Sequence, residues 1–591
     1  MRPDPRTGIA TVCLSGTLED KLAAAAKAGF DGIELFENDL LAARPGPAEI
    51  RKRCADLGLS IDLYQPFRDF EAVPPDVLAA NLRRAEHKFD VMAELGVDTV
   101  LVCSSVSPDA IDDDDLAAEQ LHLLASRASE RGLRIAYEAL AWGRYVNGYE
   151  HAWRIVRRAA HPALGVCLDS FHILSKGDDP RVIRAIPGEK IFFLQLADAP
   201  TLPMDVLQWS RHHRLFPGQG DFDLTTFTGH VLATGYTGPL SLEVFNDVFR
   251  QADPYRASVD AMRSLLALKD SLGLLDIPSA PASQGYAFAE IVGDSGLAAL
   301  GFTRAGVHRT KPVELWTQGE ARVLVNASGE PGTIAALGIT VPDPTAAGQR
   351  SEGMLAPALS RTAGPGEAAL TAIAAPDGTQ IFFCSSDDWI EDFVPTGESA
   401  PAAGITGIDH VSLTQPFDHF DEATLFYRSV LGLEPGPVTE FAAPYGLVRG
   451  RGVSGSGIRL SLDAALVRRG DWAPAVREPQ HIAFSCDDAL ASARALRTLG
   501  ARVLEIPANY YDDLAARTGL AAETIGALQE CSVLYDRDAR GEFLHFYTEL
   551  AGARVFFEVV QRIGDYRGFG VVNAPVRMAA HHDARLTSTQ H

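Results

Sequence analysis

The sequence predicts two domains of different class, a (β/α)8 TIM barrel of the α/β class followed by an α+β domain. From residue 9 to about 272, eight short apolar runs alternate with amphipathic stretches, which is the strand number and length of such a barrel. Residues 273–285 are rich in Pro, Ser and Ala and carry no period, as a linker does. Beyond residue 285, strand-like runs are joined by Pro- and Gly-rich loops, and helical patterns become fewer.

The predicted barrel strands follow one another through residues 1–272. They are IATVCLSG, GIELFEN, LSIDLYQPF, VDTVLVCSS, LRIAYEAL, LGVCLDSFH, IFFLQLAD and PLSLEVFN. Helical patterns such as LEDKLAAAAKAG and NLRRAEHKFDVMAELG lie between them. Several of these patterns end in glycine just before the next strand, as a helix C-cap does, which favours regular strand-helix alternation.

The second domain is predicted over residues 286–571, in halves of about 286–400 and 405–571. The runs VELWTQG, ARVLVNA and QIFFCSS are strand-like, and the second half begins at GITGIDHVSLT. Both halves open with a strand, a helix and a glycine near the turn, and this weak internal repeat indicates paired modules. The remaining residues, 572–591, include the polar text MAAHHDARLTSTQH and are predicted to be a disordered tail.

Composition narrows the range of partners. The net charge of −24 argues against nucleic acid, which needs a basic face. The sequence contains no stretch of about 18 apolar residues that would predict a membrane span. Its first residues also lack the apolar core of a signal peptide. The seven cysteines are scattered, mostly within apolar runs, as buried free thiols in a reducing cytoplasm would be. We therefore expect a cytoplasmic protein with a small-molecule substrate. Large barrel enzymes often associate, so the sequence also admits a homo-oligomer.

Polar residues end four consecutive predicted barrel strands. They are Glu138, Asp169, Gln195 and Glu243. The carboxyl ends of barrel strands meet at one rim, so these side chains should lie close together. Three neighbouring carboxylates repel one another unless a cation neutralises them. Oxygen ligands favour a hard divalent ion, so we expect Mg²⁺, Mn²⁺ or Co²⁺ at this rim.

Further candidates cluster at the same rim. His172 follows Asp169 by three residues and could lie beside the metal as a general base. Arginines above a metal suit a substrate that carries a carboxylate. The candidate substrate-binding residues come from YQPFRD and QWSRHHRLFPGQGDF, and they are Tyr64, Arg68, Ser210, Arg211 and Arg214.

The barrel constellation resembles the xylose-isomerase-like superfamily, whose pattern is a glutamate, an aspartate in D-x-x-H, a His or Gln, and a final glutamate. With Gln195 in third place, and with YQPFRD and RHHRLFPGQGD, the whole chain looks most like the bacterial two-domain 3-dehydroshikimate dehydratases. The resemblance implies a metal that polarises the substrate ketone, His172 as the base, and loss of the β-hydroxyl to give protocatechuate. Arg68 and either Arg211 or Arg214 would hold the substrate carboxylate.

A second constellation lies in the C-terminal domain. His410 in GIDHVSL, His481 in PQHIAFS and Glu558 in FFEVVQRIGDYRGFG come from three strand-like runs. Two histidines and one carboxylate form the facial triad of non-haem Fe(II) sites. These motifs resemble 4-hydroxyphenylpyruvate dioxygenase, of the vicinal-oxygen-chelate fold. That resemblance implies paired βαβββ modules and a second divalent metal, Fe or Mg, at these residues.

Three departures from the dioxygenase pattern stand out. His545 replaces a usual glutamine, Asp463 replaces the asparagine of L-N-E-P, and the text after GFG lacks the family's phenylalanine. Sites that hydrogen-bond their ligand discriminate sharply, so we expect little or no activity on 4-hydroxyphenylpyruvate. The opening AFAEIVGDSG of the first half has no histidine at the corresponding position, which indicates a scaffold half.

Alternatives to a dehydratase remain open at this point. The C-terminal triad could serve an Fe(II) dioxygenase that acts on an aromatic keto acid, with an ancillary barrel. The barrel could isomerise a sugar or inositol derivative, because enolisation serves that reaction as well. The C-terminal domain could also be an assembly or ligand-sensing module. The arginine-rich rim favours a carboxylate substrate over a neutral sugar.

Overall fold

The computed structural model describes residues 4–293, 296–361, 363–443, 446–465, 480–551 and 554–588. The chain divides into two compact units, Met1–Asp276 and Ile277–His591. Strands and helices alternate in the first, and strands dominate the second. Both predicted fold classes are thereby confirmed. Irregular chain separates the last helix of the first unit, which ends at Ser271, from the strand that begins at Gly285.

The first unit is a closed barrel of eight parallel strands, β1 to β8 in sequence order. Its elements are β1 (Thr7–Ala10), α1 (Leu18–Ala28), β2 (Gly32–Phe36), α2 (Glu37–Ala42), α3 (Pro47–Asp56), β3 (Ser60–Phe67), α4 (Pro75–Leu95), β4 (Thr99–Cys103), α5 (Asp114–Ser129), β5 (Arg134–Glu138), α6 (Tyr149–Ala159), β6 (Leu164–Asp169), α7 (Ser170–Leu174), β7 (Ile191–Leu196), α8 (Val206–His212), α9 (Leu224–Ala233), β8 (Leu240–Leu242) and α10 (Pro254–Ser271).

Closure of the barrel brings β1 against β8. Gly8 pairs with Ser241 across this seam. A β-carbon at position 8 would lie 2.8 Å from the Ser241 hydroxyl oxygen, so the seam requires glycine there. The Ser241 hydroxyl in turn donates to the buried carboxylate of Glu34 on β2, which ties the seam to the interior of the barrel.

Local signals set the helix boundaries as the sequence predicts. Thr17 and Asp20 form a capping box at the start of α1. Gly29 and Gly96 end α1 and α4 with φ of 93° and 73°, in the left-handed region that glycine enters without strain. Each helix can therefore turn sharply into the next strand.

The second unit contains two eight-stranded sheets. The first comprises β9 (Gly285–Val292), β10 (Thr303–His308), β11 (Val313–Gln318), β12 (Ala321–Asn326), β13 (Ile334–Thr340), α11 (Pro344–Gly353), β14 (Thr371–Ala374), β15 (Gln380–Cys384) and β16 (Phe393–Pro395). The second comprises β17 (Ile405–Thr414), α12 (Phe420–Leu431), β18 (Glu434–Ala443), β19 (Gly446–Gly455), β20 (Ile458–Ala465), β21 (Gln480–Cys486), α13 (Ala489–Thr498), α14 (Ala508–Thr518), α15 (Ala522–Cys531), β22 (Leu534–Arg537), β23 (Gly541–Tyr547), β24 (Val555–Gly564) and α16 (Ala574–Ser588).

Each of these sheets is built from two modules. In the second sheet, β17 and β21 each begin a module that continues through helix into three further strands. The strand order β18-β19-β20-β17-β21-β24-β23-β22 pairs β17 and β21 antiparallel at the centre of the sheet. The central strands β17, β21 and β24 therefore place their side chains side by side.

The prediction of a disordered tail is wrong for Ala574–Ser588, which form α16. The segment is polar in composition, but it packs through the buried residues Ala580 and His581. The His581 ring lies 4.6 Å from that of Phe556, and its Nε2 donates to the Thr548 carbonyl at 2.9 Å. Tertiary contacts therefore order a segment whose own sequence carries little apolar pattern.

All seven cysteines are free and buried, as the sequence predicts. Within the described residues, no helix combines the length and apolar character needed to cross a membrane.

Candidate active site and metal centres

The four polar residues predicted at strand ends lie at one end of the barrel. Glu138 and Asp169 are the last residues of β5 and β6, Gln195 lies in β7, and Glu243 directly follows β8. All four side chains are buried. Because neighbouring parallel strands end at the same rim, the strand register alone brings these groups into one small space.

Glu138, Asp169 and His172 form the tightest part of this cluster, each offering a ligand atom within 4.8 Å of the others. His172 Nε2 lies 3.5 Å from Asp169 Oδ2 and 3.8 Å from Glu138 Oε1. Asp169 Oδ1 accepts the Phe171 N–H at 2.6 Å and so caps α7, which leaves Oδ2 facing the cluster. His172 Nδ1 accepts the Ala141 N–H at 3.3 Å.

Arg214 supplies a counter-charge inside the cluster. Its Nη1 donates to Asp169 Oδ2 at 2.8 Å and to Glu243 Oε2 at 3.2 Å. Its Nη2 donates to Ser210 Oγ at 2.9 Å, and its guanidinium lies over the Phe171 ring at 4.6 Å. The sequence predicts that Arg214 binds a substrate carboxylate, whereas the structure places it among the protein's own carboxylates.

The single positive charge of Arg214 does not balance the three carboxylates of the cluster. Burial, followed by the charges of Asp169 and Glu243, raises the pKa of Glu138 well above its usual range. Burial likewise raises the pKa of Glu243 to about 7, against the opposing effect of Arg214. Glu138 Oε1 is buried without a hydrogen-bond partner among the described residues. Three buried carboxylates and an orphaned oxygen fit a divalent cation.

Gln195 is held by a carboxylate on the other side of the barrel interior. Its Nε2 donates to Glu34 Oε2 at 2.6 Å, and Gln65 Nε2 donates to the same oxygen at 3.0 Å. The Cys167 thiol lies 3.4 Å from Gln195 Oε1. Glu34 thus fixes which end of the Gln195 amide is the nitrogen, as groups behind a metal ligand commonly do.

A cavity opens over the cluster. Among its lining residues are the predicted Arg68, Ser210, Arg211 and Arg214, together with Glu138, His172 and Glu243. Trp142, Leu140 and Phe245 supply apolar walls. Tyr64 is not among the residues described as lining this cavity, because its hydroxyl donates to Glu37 Oε1 at 3.1 Å.

The triad predicted in the second unit comes together on β17, β21 and β24. Glu558 Oε2 lies 3.1 Å from Nε2 of both His410 and His481, and the two Nε2 atoms are 3.4 Å apart. All three side chains are buried. The facing histidines outweigh burial and hold the pKa of Glu558 well below its usual range. One carboxylate and two imidazoles therefore converge on one point, as ligands of a metal do.

A carboxylate supports the first of these histidines. His410 Nδ1 lies 2.8 Å from Asp409 Oδ1, and Arg562 contacts both oxygens of Asp409 at 2.7 Å. Burial opposes ionisation of Asp409, but Arg562 and His410 together hold its pKa below the usual range. A carboxylate on Nδ1 leaves Nε2 as the ring nitrogen that faces the triad.

One of the three departures from the dioxygenase pattern contacts this centre, and a second contacts a neighbouring residue on β17. His545 Nδ1 lies 2.6 Å from Glu558 Oε1, and Asn573 Nδ2 donates to His545 Nε2 at 2.8 Å. Asp463 Oδ2 accepts from Ser412, two residues after His410 on β17, at 2.9 Å. His545 occupies one oxygen of Glu558 and leaves the other toward the histidines.

Comparison with known proteins is consistent with both halves of this description. Residues 22–265 match the family Xylose isomerase-like TIM barrel, and residues 407–521 match the Glyoxalase/Bleomycin resistance protein/Dioxygenase superfamily. The chain is 44% identical to the 3-dehydroshikimate dehydratase of Pseudomonas putida, and the match covers 98% of each chain. It is 45% identical to that of Pseudomonas aeruginosa, again over 98% of each chain. This chain belongs to the two-domain 3-dehydroshikimate dehydratase family.

A solved structure extends the match to three dimensions. A xylose isomerase-like TIM barrel/4-hydroxyphenylpyruvate dioxygenase fusion protein has a TM-score of 0.91 and 44% identity to this chain. The match covers 98% of this chain and 100% of that one. The resemblance to the two-domain dehydratase family that the sequence indicates is therefore confirmed.

Sequence reasoning missed several supporting residues of this dehydratase-family chain. Glu34 lies within the apolar strand run GIELF. Burying a lone carboxylate there costs free energy unless a partner pairs with it, and this pattern could have identified Glu34 as a functional candidate. Asp409 directly precedes His410 and offered a similar clue. Arg562 and Asn573 gave none, because their roles depend on how β24 and the chain after it fold back onto the sheet.

Proposed function

We propose that the barrel site dehydrates 3-dehydroshikimate to protocatechuate, as a hydro-lyase. The observation that carries this proposal is the buried cluster of Glu138, Asp169, Glu243 and His172 beneath an arginine-lined cavity. It occurs in a chain that matches proteins named 3-dehydroshikimate dehydratase over nearly its whole length. The free buried thiols suit a cytoplasmic enzyme.

The residues that would hold a divalent ion are Glu138, Asp169, Gln195 and Glu243. We propose Mg²⁺, Mn²⁺ or Co²⁺, because the donors are oxygens. When bound, such an ion supplies Lewis-acid polarisation of the substrate ketone. Glu34 keeps the Gln195 amide nitrogen turned toward itself, so that the carbonyl oxygen points away from Glu34, with the Cys167 thiol 3.4 Å from it.

Arg68 and Arg211 are the proposed partners of the substrate carboxylate. Both line the cavity. Arg214 lines the cavity as well, but it already contacts Asp169, Glu243 and Ser210. A planar guanidinium matches a carboxylate in a bidentate geometry. This pairing would orient the ring so that its reacting carbons face His172.

His172 is the proposed proton-transfer residue, acting through Nε2. Burial lowers the pKa of His172 to about 3, so the ring is neutral near pH 7. Accepting the proton α to the ketone at Nε2 requires the tautomer with its own proton on Nδ1, so Nδ1 must give up its 3.3 Å contact with the Ala141 N–H when substrate binds. The same proton can then leave with the β-hydroxyl as water, and the remaining ring tautomerises to the aromatic product.

Turnover is tested by the ultraviolet absorbance of the catechol ring, with 3-dehydroshikimate and Mg²⁺, Mn²⁺ or Co²⁺ in turn. We expect D169N to lose turnover by a factor of 10² or more, since a charged ligand is removed. Exchange of the substrate α-proton in D₂O tests whether His172 is the base that removes this proton. If His172 is the base, H172Q loses exchange and dehydration together. Absence of catechol from the unsubstituted chain with all three metals would overturn the proposed function.

The second unit is proposed to hold a second divalent metal, Fe or Mg, through His410, His481 and Glu558. The two-histidine, one-carboxylate set favours Fe(II). His545 on Glu558 and Asp463 beside Ser412 alter the surroundings of this centre relative to the dioxygenase pattern. We expect little or no oxygen uptake with 4-hydroxyphenylpyruvate, and an oxygen electrode with the Fe(II)-loaded chain checks this.

A further inference from the structure

Arg577, on α16, is a buried cation without an anion. Its side chain is 8% exposed, and it forms no hydrogen bond or ion pair with any residue in the described part of the chain. Two ring faces hold it instead. Its guanidinium carbon lies 5.0 Å from the centre of the Phe556 ring and 5.7 Å from that of Tyr547. A buried guanidinium of this kind is unfavourable unless a ligand supplies the negative charge.

The same two rings contact the metal triad. The His481 ring lies 4.7 Å from that of Phe556 and 6.2 Å from that of Tyr547. Phe556 and Glu558 are two residues apart on β24, so both point to the same face of the sheet. Tyr547 lies opposite Glu558 in the pairing of β23 with β24. Arg577 therefore lies beside the triad, and Phe556 contacts both Arg577 and His481.

The charge of Arg577 also reaches Asp463, but Asp463 does not neutralise it. Burial raises the pKa of Asp463 and Arg577 acts against this, yet the two residues form no ion pair, and Asp463 Oδ2 accepts from Ser412. The guanidinium of Arg577 therefore has no acidic partner among the described residues.

We propose that Arg577 binds the carboxylate of a small aromatic ligand whose vicinal hydroxyl oxygens face the His410–His481–Glu558 triad. A guanidinium fork matches a carboxylate, and a two-histidine, one-carboxylate set leaves positions open for ligand oxygens. Phe569, 5.2 Å from the His410 ring, and Tyr547 offer aromatic contacts for a flat ligand.

The spacing selects a ring over a short acid. In an aliphatic 2-oxo acid, the carboxylate and the chelating oxygen are on adjacent carbons. That spacing is too short to pair with Arg577 and face the triad at once, since Arg577 and His481 are connected through the Phe556 and Tyr547 rings that both contact. In a benzoate whose two vicinal hydroxyls are meta and para to the carboxylate, the carboxylate and the chelating oxygens lie at opposite ends of the ring. Protocatechuate has this arrangement. Its identification as the ligand rests on the proposed function, of which it is the product, and makes the second unit a product-binding site.

The experiment compares protocatechuate with catechol, which differs from it only by lacking the carboxylate. Each is titrated calorimetrically, without oxygen, into the full chain loaded with Mn²⁺. All proteins carry E138A, which removes one ligand of the barrel cluster. We expect R577M to weaken protocatechuate binding at least tenfold and to leave catechol binding unchanged. R577K should retain part of the affinity, because it keeps the charge but loses the fork. H481A should lose both ligands.

Two controls make the outcome decisive. R567M removes a charge from an exposed residue that pairs with Asp565, so it should change neither affinity. Circular dichroism of R577M checks that the fold is intact. Equal protocatechuate affinity in R577M and its parent would overturn the inference, as would an equal loss of both ligands or no binding to the parent. Catechol formation by the unsubstituted chain is scored separately, so failure of the proposed function is distinguishable from failure of this inference.

Discussion

Arg214 carries the positive charge on which the buried carboxylates of the barrel depend. It contacts Asp169 and Glu243 directly, and burial and charge raise the pKa of Glu138 nearby. Removing one partner from a buried ion pair leaves the other charge uncompensated, which costs about 3 to 5 kcal/mol. The stability of the metal-free barrel should therefore respond strongly to this one side chain.

R214M should lower the free energy of unfolding of the barrel by about 3 to 5 kcal/mol in the presence of a chelator. Added Mg²⁺ or Mn²⁺ should restore part of the loss, since a divalent ion would take over the neutralising role. Urea denaturation with chelator and with metal measures both effects. R211M is the matched control, because Arg211 lines the same cavity but is exposed. Equal stability of R214M and R211M would contradict the prediction.

Glu71 gives the barrel a titration near neutral pH. Burial raises its pKa from 4.5 to about 7, although Oε1 accepts from the Ser105 N–H at 2.7 Å and from the Tyr137 hydroxyl at 3.0 Å. Its other oxygen has no hydrogen-bond partner among the described residues. A carboxyl with a raised pKa binds its proton more tightly in the folded state. Its stabilising effect is therefore complete below about pH 4.5 and is lost as the pH rises through 7.

E71Q should flatten this dependence, because glutamine is neutral and its oxygen can keep both hydrogen bonds. Between pH 4.5 and pH 8, the unsubstituted chain should lose about 3 kcal/mol more unfolding free energy than E71Q does. Denaturation of both proteins across this pH range measures the effect. The difference between their unfolding free energies cancels the contribution of other titrating groups. Parallel pH profiles would show that Glu71 does not titrate there.

The sequence could predict which residues meet at the barrel rim but not how they pair. Strand ends are a local pattern, and barrel geometry then brings Glu138, Asp169 and His172 together. The contact of Arg214 with Asp169 depends on how the loop after β7 folds over the rim, which no local pattern records. Tyr64 illustrates the same limit, since Glu37, on a helix after β2, takes its hydroxyl.

Among the secondary-structure elements, α1 shows how much depends on a helix terminus. The Asp20 N–H donates to Thr17 Oγ1 at 3.3 Å, and Asp20 Oδ2 accepts the Thr17 N–H at 2.9 Å. α1 packs against α10, the last helix of the barrel unit. A loosened start of α1 would therefore weaken the contact that joins the two ends of the barrel sequence.

T17A should reduce the free energy of unfolding of the barrel by about 1 kcal/mol, since it removes the acceptor for an orphan N–H of the first turn. Urea denaturation, monitored by circular dichroism, measures the change. The matched control is T201A, at an exposed loop position. A loss in T201A as large as that in T17A would mean that the effect is not one of capping.

The element that sequence reasoning missed is α16. Helix prediction from pattern depends on a continuous apolar stripe, and MAAHHDARLTSTQH has little of one. The buried face of this helix includes Arg577 and His581. From sequence alone, residues of these polar types would be expected at the solvent-exposed surface. Elements held by rings of a neighbouring sheet, as His581 is by Phe556, are visible only in three dimensions.

At the scale of the whole molecule, the two candidate metal centres lie in separate units of the chain. Each draws all its protein donors from its own unit, so binding at one should not require the other. The order of fold classes could be predicted because strand-helix alternation changes visibly at residues 273–285. The four-module organisation of the second unit could be predicted only in part, since the internal repeat is weak.

The full chain should bind two divalent ions. E138A and H481A should each lower the metal content by one ion per chain, and the double variant should bind none. Mass-spectrometric metal analysis after gel filtration measures this, with R567M as a control that leaves both centres intact. Loss of both ions in either single variant would show that the two centres are coupled.

The distribution of thiols has a practical consequence. Four of the seven buried cysteines fall in Met1–Asp276 and three in Ile277–His591. Burial also raises the pKa of Cys54 and of Cys486 to about 11, so neither forms much reactive thiolate at neutral pH. An alkylating reagent should therefore leave the native chain unlabelled. During gradual denaturation, the cysteine-containing peptides that become alkylated would show which unit unfolds first. The cysteines therefore act as built-in reporters of local unfolding.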